Sequence, residues 1–229
     1  MRAKLYGVGV GPGDPELLTL KALRIIRESD VIAVPGEKPE ETVAYKIVIQ
    51  AYPALAEKEL LPVLMPMTKD AAKLEESHNQ GAAAIQKLLD AGKQVAFLTL
   101  GDPTVYSTYL YVHKRVEAAG YPVEIISGIT SFCAVAAKMN IGLVEKAEPL
   151  HVIPASYQIE EALSLSGTKV LMKAGKQMGR VKQMLIDKRE EAMMIENCGM
   201  PEEKIYHSVE EIPENAGYYS LIIVKEKDR

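Results

Sequence analysis

Two segments of the same composition, Gly13-Asp14-Pro15 and Gly101-Asp102-Pro103, carry the residue types best suited to a small-molecule site. Each lies after an apolar run that predicts a buried strand, and the second is expected to open a helix at Thr104. Glycine allows a backbone to approach a ligand closely, while aspartate either holds a tight turn or stabilises a positive charge. Because the carboxyl ends of parallel strands meet at one edge of a sheet, we expect both segments to face one ligand.

A third candidate segment, Ser127-Gly-Ile-Thr130-Ser131, follows the fifth predicted strand. Its hydroxyl groups and the first amides of the helix after it are hydrogen-bond donors. No Ser-His-Asp or Cys-His arrangement is evident in the sequence. We therefore expect a site that binds and aligns small molecules rather than one that uses a protein nucleophile.

Short apolar runs alternate with helical patterns along the chain, which is typical of a mainly parallel sheet wrapped by helices. The rhythm changes near residue 128, so we predict an α/β fold of two small α/β domains, residues 1–127 and 128–229, with mainly parallel or mixed sheets and an interdomain cleft. In the first domain the predicted strands are 5–10, 30–35, 58–64, 94–100 and 123–126, and the helices are 16–27, 40–51, 70–91 and 104–119. In the second the strands are 150–153, 168–172, 192–195 and 218–224, the last of them central, and the helices are 158–165 and 179–188.

Composition excludes several classes of protein. Of the 229 residues, 48% are hydrophobic and 25% charged, which argues against disorder. A formal net charge of -4 argues against a general nucleic-acid binder, and no apolar run is long enough to span a membrane. The first residues predict a strand rather than a signal peptide, so we expect a cytoplasmic location. Cys133, Cys198 and the four histidines are scattered, so we expect neither a disulfide scaffold nor a bound metal ion.

The glycine-rich stretch from Gly7 to Asp14 invites a different interpretation, as a dinucleotide-binding loop. Pro12 and Pro15 interrupt that pattern, and the second predicted strand ends in Val34-Pro35 rather than in an acidic residue that would bind a ribose. The sequence therefore disfavours a nicotinamide cofactor. It leaves two alternatives for this stretch, a ligand contact and a tight turn without a ligand.

Taken in order, these motifs resemble those of the tetrapyrrole methylase family. The matching features are the Gly-x-Gly-Pro-Gly-Asp-Pro stretch that starts at Gly9, the Gly-Asp-Pro turn at Gly101, and the Gly-Ile-Thr-Ser segment that starts at Gly128. The resemblance covers essentially the whole chain, and it is strongest to the C20-methyltransferases of cobalamin biosynthesis. It implies methyl transfer from S-adenosylmethionine to precorrin-2 or cobalt-factor II, a methyl donor held between two α/β domains, and a homodimer.

The resemblance also assigns residues to the two small molecules. Contacts to S-adenosylmethionine are expected at Leu100, Gly101, Asp102, Val105, Tyr106, Thr130, Ser131, Met172, Tyr219, Ser220 and Leu221. Pro12 and Asp14 are expected on the tetrapyrrole side. Because the tetrapyrrole carries many carboxylates, we also expect basic residues near it. Lys176 is preferred among the basic residues after the strand that ends at Met172, and Tyr218 is a candidate hydrogen-bonding group.

Asp102 is the candidate for a catalytic role, because its carboxylate can favour a cationic methyl donor, and a purely structural role in the turn stays open beside it. The transfer itself is an in-line displacement that chiefly requires alignment. Two alternative functions remain: a methylase of the same fold that acts at another position or on another acceptor, and a non-catalytic nucleotide-sensing module. The sequence does not decide whether the acceptor contains cobalt, and neither a nucleic acid nor a membrane is expected as a partner.

Overall fold

The computed structural model describes residues 3–155 and 159–226, and the chain divides into two compact units, residues 1–130 and 131–229. The side chain of Lys176 also lies outside this description. Each unit contains a five-stranded sheet with helices. The predicted α/β class with mainly parallel or mixed sheets is confirmed, because the first sheet is parallel and the second is mixed.

The described part of the first unit contains the strands β1 (Leu5–Gly9), β2 (Val31–Pro35), β3 (Glu59–Val63), β4 (Val95–Thr99) and β5 (Val123–Ile126). All neighbours are parallel, in the order β3-β2-β4-β1-β5. Side chains of the central β4 alternate between two buried faces, with Ala96 and Leu98 on one side and Val95 and Phe97 on the other. A parallel sheet covered on both faces requires such uninterrupted apolar strands.

The helices α1 (Leu20–Glu28), α2 (Val43–Ala51), α3 (Ala71–Asp90) and α4 (Tyr109–Ala118) cover this sheet. Helices α1 and α2 bury Ile26 and Val48 against one face, while α3 and α4 bury Ile85 and Val112 against the other. Each such side chain contributes about 1.5–3 kcal/mol when it is buried. The two helical layers therefore hold the strand ends in a fixed arrangement.

Helices α1 and α2 begin later than the predicted starts at residues 16 and 40, which were wrong. A 3-10 turn precedes each helix, at Pro15–Leu17 and at Pro39–Glu41. The hydroxyl of Thr19 then accepts a hydrogen bond from the amide of Ala22 at 3.1 Å, and Thr42 caps α2 in the same way. Because such caps satisfy amides that have no partner within the helix, each threonine sets the point at which its helix starts.

In the second unit, helix α5 (Ser131–Lys138) precedes the strands β6 (Leu150–Pro154), β7 (Thr168–Met172), β8 (Glu191–Glu196), β9 (Lys204–Tyr206) and β10 (Ser220–Lys225). The order is β6-β7-β10-β8-β9, with β6 and β7 parallel and the other neighbours antiparallel. The prediction of a central last strand is confirmed. Sequence reasoning misses β9, because a three-residue edge strand leaves too short a pattern of alternation.

Helix α5 packs on one face of the second sheet, and α6 (Ile159–Ala162) and α7 (Met178–Asp187) pack on the other. The helix predicted over residues 158–165 ends early, since the hydroxyl of Ser164 bonds to the carbonyl of Glu161 in a turn. The start of that prediction, residue 158, lies outside the described residues. No helix in the described ranges is long and apolar enough to cross a membrane.

Candidate functional site

Three loops leave the carboxyl ends of the neighbouring strands β4, β1 and β5 in the first unit. We name residues 10–14, which follow β1, the first loop. Residues 100–108, which follow β4, are the second loop, and residues 127–130, which follow β5, are the third loop. The amide of Gly101 donates to the carbonyl of Gly11 at 2.8 Å, and the amide of Gly11 donates back to Gly101 at 3.3 Å. The prediction that both Gly-Asp-Pro segments lie at one edge of a parallel sheet is therefore confirmed.

Glycines at the three strand ends allow the loops to touch through their backbones. A Cβ atom on Gly128 would lie 2.2 Å from the carbonyl oxygen of Gly101 and 2.8 Å from the Cα atom of Gly9. A Cβ atom on Gly9 would lie 2.5 Å from the amide nitrogen of Gly128. These obstacles are backbone atoms and cannot rotate away, so the junction accepts no side chain at Gly9 or Gly128. Sequence reasoning placed Gly128 in a candidate segment but not in this packing role.

Asp102 ties the second loop to the third. It is 8% exposed, and its Oδ1 atom accepts hydrogen bonds from the amide of Thr104 at 2.8 Å and from the Thr104 hydroxyl at 2.5 Å. Its Oδ2 atom accepts a third bond from the amide of Gly128 at 3.0 Å. Both oxygens are thus occupied within this unit, which favours the structural one of the two roles that the sequence left open.

The second loop does not enter a helix directly, so the prediction of a helix from residue 104 was wrong at its start. The amide of Val105 bonds to the carbonyl of Asp102 at 3.2 Å in a turn, and Tyr106 has a φ of +50°. A residue in this left-handed region interrupts a helix. The hydroxyl of Ser107 then accepts from the amide of Tyr109, where α4 begins. Pro103 therefore does not occupy a first helical turn.

The predicted contact residues of the first unit differ in accessibility. Leu100 and Val105 are partly buried, and Tyr106 is 45% exposed. Pro12 is buried, whereas Asp14 is partly exposed and its Oδ1 atom accepts from the amide of Glu16 at 2.8 Å. Partly buried Thr130 ends the unit, and Ser131 is the first residue of α5 in the next one.

The predicted contact residues of the second unit share one edge of its sheet. Met172 ends β7 and pairs with Leu221 near the start of the antiparallel β10. The side chain of Leu221 is 5% exposed in the core beneath α5. The hydroxyl of Ser220 donates to the carbonyl of Gly217 at 2.7 Å, so it stabilises the turn before β10.

Tyr218 and Tyr219 stand in that turn, with 48% and 39% exposure. Their ring centroids are 5.3 Å apart in an edge-to-face arrangement, and burial raises the pKa of both phenols. Glu196, which sequence reasoning missed, holds the turn because its Oε1 atom accepts from the amide of Gly217 at 2.6 Å. No local pattern in the sequence marks Glu196, since its partner lies 21 residues away.

Basic residues follow β7, as predicted, in different environments. Lys173 has a φ of +58°, and burial lowers the pKa of its ammonium group. Arg180 forms an exposed ion pair with Glu160. The side chain of Lys176 lies outside the described residues. Among the residues that are described, no three His, Cys, Asp or Glu side chains come together as a metal site.

A cavity of about 420 Å³ opens at the ends of β2 and β3, beside α3. Its lining combines the apolar Met65 with Ser77, and Lys73 with two carboxylates, Glu37 and Glu76. With charges of both signs, it has no evident preference for an anionic ligand. Sequence reasoning did not predict this cavity.

A parallel sheet with three glycine loops joined at its carboxyl edge is the architecture of an α/β protein that binds a small molecule at that edge. Residues 4–213 match the family model described as Tetrapyrrole (Corrin/Porphyrin) Methylases. The chain belongs to this family, and the resemblance found in the sequence is confirmed.

Three curated relatives cover most of the chain. It is 42% identical over 171 residues to a probable cobalt-precorrin-2 C(20)-methyltransferase of Methanocaldococcus jannaschii, covering 74% of this chain and 72% of the relative. It is 34% identical to the cobalt-precorrin-2 C(20)-methyltransferase of Salmonella typhimurium, covering 99% and 98% of the two chains. It is 31% identical to a precorrin-2 C(20)-methyltransferase of Sinorhizobium sp, covering 96% and 94%.

The fold is also that of a solved structure from Thermus thermophilus. That protein is a uroporphyrin-III C-methyltransferase in complex with S-adenosylhomocysteine. The TM-score is 0.70 at 23% identity, covering 98% of this chain and 92% of the other. At this identity the likeness establishes the fold.

Proposed function

We propose that the chain transfers a methyl group from S-adenosylmethionine to C20 of a tetrapyrrole, and that the acceptor is the cobalt complex of precorrin-2. The observation that carries this proposal is the 34% identity to the Salmonella enzyme of that name over nearly the full length of both chains. The preference for the cobalt complex rests on the two relatives named for it, which are 42% and 34% identical, against 31% for the relative named for metal-free precorrin-2.

The charge of the loops fits S-adenosylmethionine, which supplies a methyl group on a positively charged sulfonium. The chain has 27 Lys and Arg residues, yet residues 5–20, 99–112 and 125–137, which span the three loops, contain no Lys, Arg or His. A cationic ligand therefore meets no like charge in these segments, while the Asp102 carboxylate adds a favourable potential. S-adenosylmethionine has no pyrophosphate, so its binding requires no dinucleotide-type glycine loop. The interruption of that pattern by proline in the first loop agrees with this.

The contacts expected from the resemblance are retained as part of the proposal. Leu100, Gly101, Val105 and Tyr106 bind the methyl donor, and Asp102 acts chiefly by positioning the second loop. Further contacts to the methyl donor are expected at Thr130, Ser131, Met172 and residues 219–221. Pro12, Asp14, Lys176 and Tyr218 belong to the acceptor side. The displacement itself requires the methyl carbon, the sulfur and the acceptor carbon in line, which binding alone can provide.

Incubation of the protein with S-adenosylmethionine and each form of precorrin-2 in turn, followed by mass spectrometry and NMR, tests the proposal. A single methyl group at C20 of the cobalt complex is expected. A methyl group at another carbon identifies a methylase of different position, and faster transfer to the metal-free form overturns the choice of acceptor. Donor binding without transfer to either form identifies a nucleotide-sensing module instead.

Lys176→Ala separates the two binding functions of the site. Because the acceptor carries many carboxylates, loss of this ammonium group is expected to raise the Kd for the tetrapyrrole and to leave the Kd for S-adenosylmethionine unchanged. Lys182→Ala is the control, since its ammonium group binds the carbonyls of Glu210 and Ile212. Unchanged tetrapyrrole affinity in Lys176→Ala removes Lys176 from the proposal. A homodimer and a cytoplasmic location stay predictions, and light scattering tests the first.

A further inference from the structure

Thr99, the last residue of β4, carries a buried hydroxyl group without a partner. The residue is 8% exposed, and its Oγ1 atom is the only buried side-chain nitrogen or oxygen for which the described residues offer no hydrogen bond. It pairs in register with Gly9 and directly precedes the second loop. The orphan hydroxyl therefore lies at the same strand ends as the three glycine loops.

The other buried serine and threonine hydroxyl groups of the described residues are paired. The hydroxyls of Ser29, Ser77 and Ser220 donate to backbone carbonyls at 2.8, 2.6 and 2.7 Å, and that of Thr168 donates to the carboxylate of Glu148 at 2.6 Å. An unpaired buried hydroxyl costs about 1–3 kcal/mol. Valine has the same shape and no such cost, and it suits a strand equally well. Packing alone therefore does not explain a threonine at this position.

The alternation of β4 shows which way the hydroxyl-bearing side chain points. Val95 and Phe97 face the layer of α3 and α4, so Thr99 points to that side, at the upper end of the same face. Tyr109 lies on this face, but its hydroxyl is already bonded to Nδ1 of His113 at 2.9 Å. The second loop passes from β4 to α4 on this side of the sheet. A ligand held by that loop is a candidate partner for the hydroxyl.

We propose that the Thr99 hydroxyl hydrogen-bonds a polar group of S-adenosylmethionine, so that Thr99 is a binding residue for the methyl donor. This inference rests on the proposed methyl transfer. Asp102 holds the beginning of the second loop through its bond to the third loop, whereas residues 104–108 are exposed or partly buried. That later part of the loop is the part that adjusts when the ligand reaches the hydroxyl.

Thr99→Val removes the hydroxyl and keeps the shape, and Thr99→Ser keeps the hydroxyl. Calorimetric titration with S-adenosylhomocysteine and S-adenosylmethionine is expected to give a Kd about tenfold higher for Thr99→Val and close to the wild-type value for Thr99→Ser. The Tm of Thr99→Val without ligand should equal or exceed the wild-type Tm, by up to ~4 °C. Thr168→Val is the matched control, because it breaks a bond to Glu148: its Tm falls and its Kd stays unchanged.

Equal ligand affinities of Thr99→Val and the wild-type protein overturn the inference, while the wild-type binding itself still supports the methyltransferase. A Tm below the wild-type value with unchanged Kd shows that an ordered water or another internal group satisfies the hydroxyl, and this also overturns it. Failure of the wild-type protein to bind either ligand overturns the proposed function and this inference together. A larger loss of affinity for S-adenosylmethionine than for S-adenosylhomocysteine supports a contact close to the transferred methyl group.

Discussion

Gly128→Ala is the sharpest test of the junction between the three loops. The new Cβ atom would lie 2.2 Å from the carbonyl oxygen of Gly101 and 2.8 Å from the Cα atom of Gly9, so the third loop must move away from both residues. Overpacking of this kind costs about 1–3 kcal/mol. The movement also weakens the hydrogen bond from the Gly128 amide to the Asp102 carboxylate, and a hydrogen bond to a charged group contributes about 1.5–3 kcal/mol. We therefore expect the free energy of unfolding to fall by about 4 kcal/mol.

Urea denaturation of the purified protein measures this loss, and Gly142→Ala is the control. At Gly142 the nearest atom to a new Cβ atom is the carbonyl oxygen of Val144 at 4.0 Å, and the φ angle is not positive. Alanine there should change the stability by less than about 1 kcal/mol. The affinity of Gly128→Ala for S-adenosylmethionine should fall as well, because the second loop loses its support. A Gly128→Ala protein within about 1 kcal/mol of the wild type refutes the argument, since it means that the junction yields easily.

The remaining predictions concern Asp102 and His78. Asp102→Asn places a hydrogen-bond donor among the amides of Thr104 and Gly128, so the free energy of unfolding should fall by about 1–3 kcal/mol. The affinity for S-adenosylmethionine should fall as well, while turnover at saturating S-adenosylmethionine stays near the wild-type rate. Lost turnover with normal stability and affinity would instead indicate a direct role in the reaction. Burial lowers the pKa of His78 below the ordinary value of 6.5. As the pH falls, the unfolded chain therefore protonates this histidine before the folded protein does, and the free energy of unfolding decreases from pH 7 to pH 5. His78→Phe keeps the stack on Tyr111, with centroids 4.6 Å apart, and should show a flatter pH dependence; identical pH profiles contradict this account.

The sheet edge could be predicted from the sequence, and so could the starts of α3 and α7 to within one residue, but the starts of α1, α2 and α4 could not. Buried parallel strands require apolar runs, and a glycine directly after such a run marks a strand end. The position of the Gly-Asp-Pro segments at strand ends could therefore be predicted from the sequence. The helix predicted from residue 104 failed because hydrogen bonds to the Asp102 side chain and the left-handed conformation of Tyr106 compete with helical bonds. The helical spacing of apolar residues gives no information about these competing hydrogen bonds.

Other parts of the site depend on partners that are remote in the chain. The Gly128 amide meets a carboxylate 26 residues away, and the role of Glu196 depends on a turn that follows it by 21 residues. The orphan hydroxyl of Thr99 is defined by the absence of a partner among the described residues, which only coordinates can reveal. These features have no local signature in the sequence.

The meeting of Gly9, Gly101 and Gly128 also constrains how the first unit folds. Its contacts join segments that are far apart in the chain, and such contacts form late because a long loop must close before they can stabilise anything. A nascent chain that has emerged only as far as α4 contains the whole Gly101-Asp102-Pro103 turn but not the Gly128 amide, which donates to the Asp102 carboxylate. The ability to hold a methyl donor should therefore arise only after β5 has docked, as the last step in assembly of this sheet.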